Sequence, residues 1–323
     1  NLSDIRMAKA KTGAWWEADG HRRLANNSVA YTEKPDFEAF INEMKTLYES
    51  RAGERGLFSR VAAQNIAARN GRRDSEQDFG TNPCSEIILR SNQFCNLSEV
   101  VVREDDTEET LKEKVELAAI IGTLQATLTD FRYLRNIWHK NTAEEALLGL
   151  SMTGIMDNKL LSGQGDQEEL EKTLENLRNV AIKTNEKWAK KLGIEQSAAI
   201  TCVKPGFPVE QDVMSESSVV YSFPVKAPES SVVVKEVGAM EQLRLWKTYQ
   251  NFWCEHKPSI TVYYSDDEFL QVAQWIWDNF DICSGISLLP VLDHVYQQAP
   301  YEDITAEKYD EVLAAMPSNV NWN

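Results

Sequence analysis

Four residues of the segment TNPCSEIILRSNQFCNLSEVVV, which begins at residue 81, could perform chemistry together: Asn82, Cys84, Glu86 and Cys95. If the chain is extended around Cys84, the two-residue repeat of a strand turns Asn82, Cys84 and Glu86 to one face. A thiol can act as a nucleophile or carry a radical, a carboxyl group can take a proton, and an amide can orient hydroxyl groups. Cys95 follows a chain reversal and could return to the same pocket as a redox partner or proton donor.

The alternative for both cysteines is a structural one, because free cysteine is among the most buried residue types. The spacing of the two residues leaves both interpretations open. The chain has five cysteines, an odd number, and they are widely spread without a CxxC pair. This pattern favours reduced thiols in a cytoplasmic protein over a disulfide framework or a zinc site. The four histidines also lack the spacing of metal ligands, so no metal site is expected.

Composition narrows the class of protein. With 323 residues and 42% hydrophobic content, the chain can bury a large core as one domain or two. Its net charge of −16 argues against a nucleic-acid surface, although backbone amides and a few local cations could still bind a small anion. No apolar run approaches the roughly 18 to 20 residues of a membrane span, and the first residues lack a secretory pattern.

Hydrophobic periodicity predicts the elements that position these residues. Helices are expected at 35–51, 108–138, 143–157, 168–192, 239–256 and 268–281. Strands are expected at 198–205, 218–225, 259–264 and 285–291, with shorter strand-like stretches at 25–32 and on either side of Cys95. Strands and helices alternate in the second half of the chain, which predicts a parallel α/β layer or barrel.

The sequence resembles the large subunits of ribonucleotide reductases. NPCSEI followed by FCNL is similar to their active-site segment, and the eleven-residue separation of the two cysteines is that of the adenosylcobalamin-dependent (class II) enzymes. The resemblance extends over nearly the whole chain and is closest to the monomeric branch that reduces triphosphates. It is carried by further blocks in the family's order: LANNSVAYTEKP, GERGLFSR, NGRRDSEQDFGTNPCSEIILR, FRYLRNIWHKN, LLGLSMTGIMDN, VVYSFPVKAPE, CEHKPSITV and SGISLLP.

The resemblance implies an α/β fold, the ten-stranded ribonucleotide-reductase barrel, in which two five-stranded parallel halves pack antiparallel. A finger loop at about residues 80–100 would carry Cys84 into the centre of the barrel. Residues 1–323 would form the catalytic barrel region, which lacks an N-terminal part and a phosphate loop. The alternating strands and helices of the second half are compatible with this fold.

The resemblance also implies a reaction, the reduction of ribonucleoside triphosphates to 2′-deoxyribonucleoside triphosphates by a thiyl radical. Cys84 would carry the radical and abstract the 3′-hydrogen of the ribose. Glu86 would take the proton of the 3′-hydroxyl group, and Asn82 would bind the ribose hydroxyls. Cys95 would be one of two thiols that supply the reducing electrons as water leaves.

Further contacts and partners follow from the same resemblance. Ser85 and Lys204 are expected to bind the substrate together with Asn82, and His256 or His294 could line the cofactor or substrate cavity. The expected cofactor is adenosylcobalamin. The expected partners are a ribonucleoside triphosphate, a deoxynucleotide effector, thioredoxin or a similar dithiol, and a second chain if the enzyme is split.

The sequence departs from the family at three places. It has no counterpart of the second reducing cysteine or of the C-terminal cysteine pair, and VKP runs into GFP at residues 205–206, where a Ser-Gly-Thr phosphate loop is expected. Either these segments are deleted or they belong to a longer polypeptide, and we favour the second interpretation. Two alternatives stay open: a class I large subunit that needs a diiron partner, and a non-catalytic or split reductase component.

Overall fold

The computed structural model describes residues 6, 9–10, 28–51, 53, 55–204, 226–233, 236–291 and 304–315. The chain divides into two compact units: Asn1–Pro205 with Ser230–Val291, and Gly206–Glu229 with Leu292–Asn323. The first unit contains every described strand and all of the described candidate residues. The described part of the second unit contains one helix.

The described strands and helices alternate over much of the chain. The strands are β1 Ser28–Tyr31, β2 Gly56–Ser59, β3 Gly80–Thr81, β4 Ile88–Leu89, β5 Asn96–Val101, β6 Leu148–Thr153, β7 Thr261–Tyr264 and β8 Gly285–Pro290. The helices are α1 Phe37–Ser50, α2 Arg60–Ala68, α3 Glu108–Gln125, α4 Asn136–Glu145, α5 Gln167–Leu192, α6 Ala239–Phe252, α7 Phe269–Asp278 and α8 Ala306–Ala315.

Local capping residues set the ends of the longer helices. Asp36 begins α1 by accepting a hydrogen bond from the N–H of Ala39, and Asp166 begins α5 in the same way. Thr107 begins α3 with a reciprocal capping box. Such side chains satisfy N–H groups that have no partner within the helix. Gly193 ends α5 with a φ of 69°, a left-handed conformation that glycine adopts without strain.

The largest described sheet contains two parallel pairs of strands, and the two pairs run in opposite directions. This sheet has the order β1-β2-β8-β7, in which β1 and β2 are parallel, β7 and β8 are parallel, and β2 runs antiparallel to β8. Strands β5 and β6 form a separate parallel pair. Parallel bridges from Leu150 to Thr201 and from Val203 to Pro258 extend that pair towards β7. The α/β prediction is therefore confirmed, and the described strands do not close into a complete barrel.

Two large hydrophobic cores cover much of the described sheets of the first unit. One core packs α1, α6 and α7 against β1, β7 and β8, and its fully buried members include Phe40, Leu47, Leu243, Val262 and Leu288. The other packs α3 and α5 against β5 and β6, and it includes Leu111, Val115, Leu148, Leu174 and Trp253. Helices that pack against strands through large apolar cores are typical of α/β domains.

Two helix predictions are wrong. The predicted helix 143–157 contains strand β6, Leu148–Thr153, whose residues are almost all buried. A strand buried on both faces gives a continuous apolar run, which periodicity alone does not distinguish from a buried helix. The predicted helix 108–138 ends at Gln125, and a second helix, α4, begins at Asn136. The expected strand at 218–225 lies outside the described residues.

Candidate active site

Cys84 lies in the hairpin turn that joins the antiparallel strands β3 and β4. The N–H of Ser85 donates to the carbonyl of Asn82 at 2.9 Å, and the N–H of Ile87 donates to the side-chain oxygen of Asn82 at 3.0 Å. Ser85 has a φ of 66°, which non-glycine residues rarely adopt. The prediction of an extended segment is wrong here, because Asn82 closes the chain into a turn.

The turn nevertheless brings the sulfur of Cys84 and the carboxylate of Glu86 to one point, the ammonium group of Lys204. The Nζ atom of Lys204 lies 3.8 Å from Cys84 Sγ and 3.2 Å from Glu86 Oε1. Glu86 is completely buried, whereas the side chain of Lys204 is 23% exposed. The sequence placed these residues together through strand geometry. The structure brings them together through a turn and a cation from a distant segment.

Charge holds this cluster together. Partial burial lowers the pKa of Lys204, but the charge and hydrogen bond of Glu86 and the nearby Cys84 sulfur raise it by more, so the net shift is upward. Lys204 is therefore a persistent cation beside the buried carboxylate. Within the described part of the chain, the second oxygen of Glu86, Oε2, is buried without a hydrogen-bond partner. Buried polar atoms are nearly always paired, so an unpaired oxygen indicates a place for a ligand group or a water molecule.

The arrangement is suited to chemistry on a hydroxyl-bearing substrate. A carboxylate with one oxygen fixed by Lys204 and the other unpaired can accept a proton from a hydroxyl group. The Cys84 thiol is partly exposed, so a group outside the turn can reach its S–H bond. The thiol and the carboxylate lie close together because a single residue, Ser85, separates Cys84 from Glu86 along the turn.

Cys95 lies directly before β5 and is partly exposed. Although the residue as a whole is partly exposed, burial of its sulfur raises the pKa of the thiol; the charge of Arg73 opposes this shift and that of Glu86 adds to it. The Cys95 thiol therefore stays protonated at neutral pH. Cys202 is fully buried in the segment on the far side of β6, so one strand separates it from β5. Two strand spacings amount to roughly 9–10 Å, too far for a disulfide with Cys95 without backbone movement.

His256, which the resemblance suggested as a residue lining the cofactor or substrate cavity, has its ring enclosed by backbone groups. The ring is fully buried, its Nδ1 atom accepts a hydrogen bond from the N–H of Ile88 at 3.4 Å, and its Nε2 atom lies 3.2 Å from the carbonyl of Leu148. Burial, assisted by the charge of Arg73, lowers the pKa of His256 to about 3. Both ring nitrogens thus face the backbone, and the neutral imidazole joins β4 to β6.

Sequence reasoning missed two residues that contact the Cys84 turn from the protein side. The buried ammonium group of Lys257 donates to the Ser85 hydroxyl at 2.8 Å, and the Ser259 hydroxyl donates to the carbonyl of Cys84 at 2.5 Å. Both residues belong to the block CEHKPSITV, which indicated the resemblance without indicating these contacts. The Ser85 oxygen is thus turned towards Lys257, and the predicted substrate contact of Ser85 stays a prediction.

Several other expectations find no test here. His294 and residues 205–206 lie outside the described residues. In the part of the chain that the structure describes, no group of His, Cys, Asp and Glu side chains is arranged to hold a metal ion. None of the described helices has the length and apolar character needed to cross a bilayer.

Comparisons with known proteins agree on one family of enzymes. No protein-family model matches the chain. An adenosylcobalamin-dependent ribonucleoside-triphosphate reductase of Lacticaseibacillus paracasei is 24% identical over 373 residues, and one of Lactobacillus leichmannii is 25% identical over 375 residues. Each match covers 93% of this chain and 49% of the reductase. A crystal structure of a B12-dependent (class II) ribonucleotide reductase superposes with a TM-score of 0.69 at 23% identity, over 94% of this chain and 52% of that one.

The superposition shows that the chain has the α/β fold of a ribonucleotide reductase. The sequence similarity adds a more specific resemblance, because the chain is similar over 93% of its length to adenosylcobalamin-dependent ribonucleoside-triphosphate reductases. The chain spans about half the length of the curated relatives that it matches.

Proposed function

We propose that this chain carries the catalytic centre of an adenosylcobalamin-dependent ribonucleoside-triphosphate reductase, which makes 2′-deoxyribonucleoside triphosphates for DNA synthesis. One observation carries the proposal: the Cys84 sulfur and the Glu86 carboxylate meet at Lys204 on one turn, with a buried carboxylate oxygen unpaired among the described residues. The similarity to named reductases over 93% of the chain supports the same function.

Each residue of the turn has a role that fits its surroundings. Cys84, as a thiyl radical, takes the 3′-hydrogen atom of the ribose. Glu86 accepts the proton of the 3′-hydroxyl group through its unpaired Oε2 atom, while Oε1 stays bound to Lys204. Asn82 uses its side-chain oxygen to hold the turn, and its amide N–H groups would bind a ribose hydroxyl. Lys204 also places a positive charge beside the site of an anionic substrate.

The reduction itself needs two thiols. The 2′-hydroxyl group leaves as water, the thiols close to a disulfide, and their two electrons reduce the 2′-carbon. Cys95 is the proposed first thiol. Among the described residues, Cys202 is one strand too far away to be the second. Cys254 and Cys283 are buried members of the two hydrophobic cores. We therefore place the second thiol on a longer polypeptide or on a second chain.

The described residues fit adenosylcobalamin in one respect, the accessibility of the Cys84 thiol. When bound, this cofactor supplies a radical through homolysis of its cobalt–carbon bond. The partly exposed Cys84 thiol is accessible to such a radical. No described side chain is assigned to the corrin ring, because His256 is enclosed by backbone groups. The protein residues thus supply the acceptor thiol, and we propose no step through the corrin ring.

The proposal includes further partners and a location. A deoxynucleotide effector would regulate the enzyme. Thioredoxin, or a similar dithiol, would regenerate its reduced thiols. A dithiol reductant and five cysteines without a disulfide among them favour the cytoplasm.

A split or non-catalytic reductase component is the second candidate. It is favoured by the distance between Cys95 and Cys202, which leaves the described site with one reducing thiol. A class I large subunit with a diiron partner is less favoured, because the eleven-residue separation of Cys84 and Cys95 resembles class II.

The deciding experiment measures deoxynucleotide formation from ribonucleoside triphosphates with adenosylcobalamin and dithiothreitol. The printed chain and any longer product of its gene are assayed, each as wild type and as Cys84→Ser. Cofactor-dependent turnover that Cys84→Ser abolishes, with an unchanged circular dichroism spectrum, supports the proposal. The matched control is Cys202→Ala, which removes a buried thiol outside the turn and should keep most of the activity.

The other outcomes separate the alternatives. Turnover that requires a metal-bearing partner protein instead of adenosylcobalamin indicates a class I enzyme. No turnover, even with the longest gene product, indicates a non-catalytic component. Turnover that persists in Cys84→Ser refutes the radical role of Cys84.

A further inference from the structure

One short segment, Lys257–Ser259, contacts three successive residues of the Cys84 turn. The backbone N–H of Lys257 donates to the carbonyl of Glu86 at 3.3 Å. The Nζ atom of Lys257 donates to Ser85 Oγ at 2.8 Å. The Ser259 hydroxyl donates to the carbonyl of Cys84 at 2.5 Å. We call Lys257–Ser259 the clamp segment, because together these bonds hold the turn on its protein side.

Lys257 is an unusual residue for this position because it is completely buried. Burial lowers its pKa to about 8, although nearby Cys283, Glu86 and Cys254 oppose the shift. No carboxylate forms a salt bridge with Lys257 among the residues described, and its ammonium group has one described side-chain partner, the hydroxyl of Ser85. A buried amine without good partners destabilises a fold. We therefore expect Lys257 to have a role in the structure around it.

Gly285, the first residue of β8, leaves the space that Lys257 occupies. A Cβ atom at Gly285 would collide with Lys257 Nζ and would lie 2.8 Å from Ser85 Oγ. Gly285 is not among the glycines with positive φ, so its backbone would tolerate alanine. The glycine is thus required for space and not for backbone conformation. Alanine at this position would displace the flexible end of Lys257 from Ser85 and would also press on the Ser85 hydroxyl itself.

Ser85 is the residue through which this contact reaches the site. Its left-handed conformation is unfavourable for a serine and persists only where the surroundings enforce it. Ser85 connects the thiol of Cys84 to the carboxylate of Glu86 along the chain. A change in Ser85 would therefore move the two groups relative to each other.

We propose that Lys257 is a positioning residue: through the space left by Gly285 it holds Ser85, and thereby fixes the Cys84 sulfur relative to the Glu86 carboxylate. The inference rests on the proposed function for the role of Cys84, whereas the clamp is a property of the fold. It adds to the site two residues, Lys257 and Gly285, that act on the turn through Ser85.

Hydrogen–deuterium exchange at pH 7 of a peptide covering residues 80–90 tests the clamp without any turnover. Wild type is compared with Lys257→Met, Gly285→Ala and the double variant. Gly80→Ala is the matched control, because it makes the same substitution beside the turn where a Cβ atom meets nothing within 4 Å. We expect exchange in this peptide to be about tenfold faster in Lys257→Met and Gly285→Ala, and unchanged in Gly80→Ala. The double variant should be no faster than Gly285→Ala, which by itself displaces the lysine and crowds Ser85.

A purely structural role would raise exchange throughout the unit and lower the melting temperature, which contradicts the proposal. Unchanged exchange of residues 80–90 in both single variants also overturns it. Where the wild type turns over, Gly285→Ala should lower kcat by a larger factor than it raises KM for the nucleotide; an unchanged kcat refutes the positioning role. If the wild type has no activity, the proposed function fails, and the exchange result still decides whether the clamp exists.

Discussion

Removing the ammonium group of Lys204 should destabilise the protein through Glu86. In Lys204→Met, the fully buried Glu86 carboxylate loses the cation that lies 3.2 Å from Oε1. Breaking a fully buried ion pair costs about 3–5 kcal/mol, and an exposed pair contributes about 0–1 kcal/mol. Because the Lys204 side chain is 23% exposed, we expect a loss of about 3 kcal/mol in the free energy of unfolding at pH 7.

Removing the charge of the carboxylate, with the ammonium group left in place, should lower the free energy of unfolding by less. Glu86→Gln leaves an ammonium group that can still reach water, so we expect a loss of about 1 kcal/mol. In the double variant neither charge remains, and its loss should be about 2 kcal/mol, which is less than the sum of the single losses. The difference gives a coupling of about 2 kcal/mol between the two side chains.

Urea unfolding followed by tryptophan fluorescence measures all three variants, provided that the slope of the transition is unchanged. Lys45→Met is the control: its Nζ atom lies 3.8 Å from Glu49, and both side chains are more than 60% exposed. This control should change the free energy of unfolding by less than about 0.5 kcal/mol. If the losses of Lys204→Met and Glu86→Gln add within about 0.5 kcal/mol in the double variant, the charge cluster does not exist as described.

Three other features of the fold give predictions for stability. Arg55→Met should lower the free energy of unfolding in urea by about 3 kcal/mol, because the Glu43 side chain, 9% exposed, loses the guanidinium group bonded to it at 2.6 Å. A loss below about 1 kcal/mol would contradict the pairing. Burial, assisted by Arg73, lowers the pKa of His256 to about 3. The neutral ring therefore contributes fully to the free energy of unfolding above about pH 6.5. This contribution is lost as the pH falls towards 3, by up to about 1.4 kcal/mol per pH unit. Unfolding of His256→Gln should show a shallower fall between pH 6.5 and 5 than wild type, and equal slopes would show that His256 titrates normally. Gly154→Ala, at a φ of 77° and against the carbonyl of Val102, should lower the melting temperature, and an unchanged value would mean that the turn accepts a side chain.

Local patterns predicted much of the secondary structure. Helix α5 and strands β7 and β8 lie close to their expected ranges, because capping residues, charge patterns and apolar periodicity act over a few neighbours. Strand β6 was mistaken for a helix, since its two buried faces are created by packing on both sides. Such burial depends on residues far away in sequence.

The sequence by itself determined which groups the site contains. The residue types of Asn82, Cys84 and Glu86, and the similarity of the blocks around them, predicted a reductase-like site by resemblance. Only the tertiary structure decided how these groups meet: in a left-handed turn, with Lys204 between thiol and carboxylate and Lys257 behind the turn. The physical reason is distance along the chain. Each lysine is more than one hundred residues from the turn, and no periodic pattern links residues so far apart.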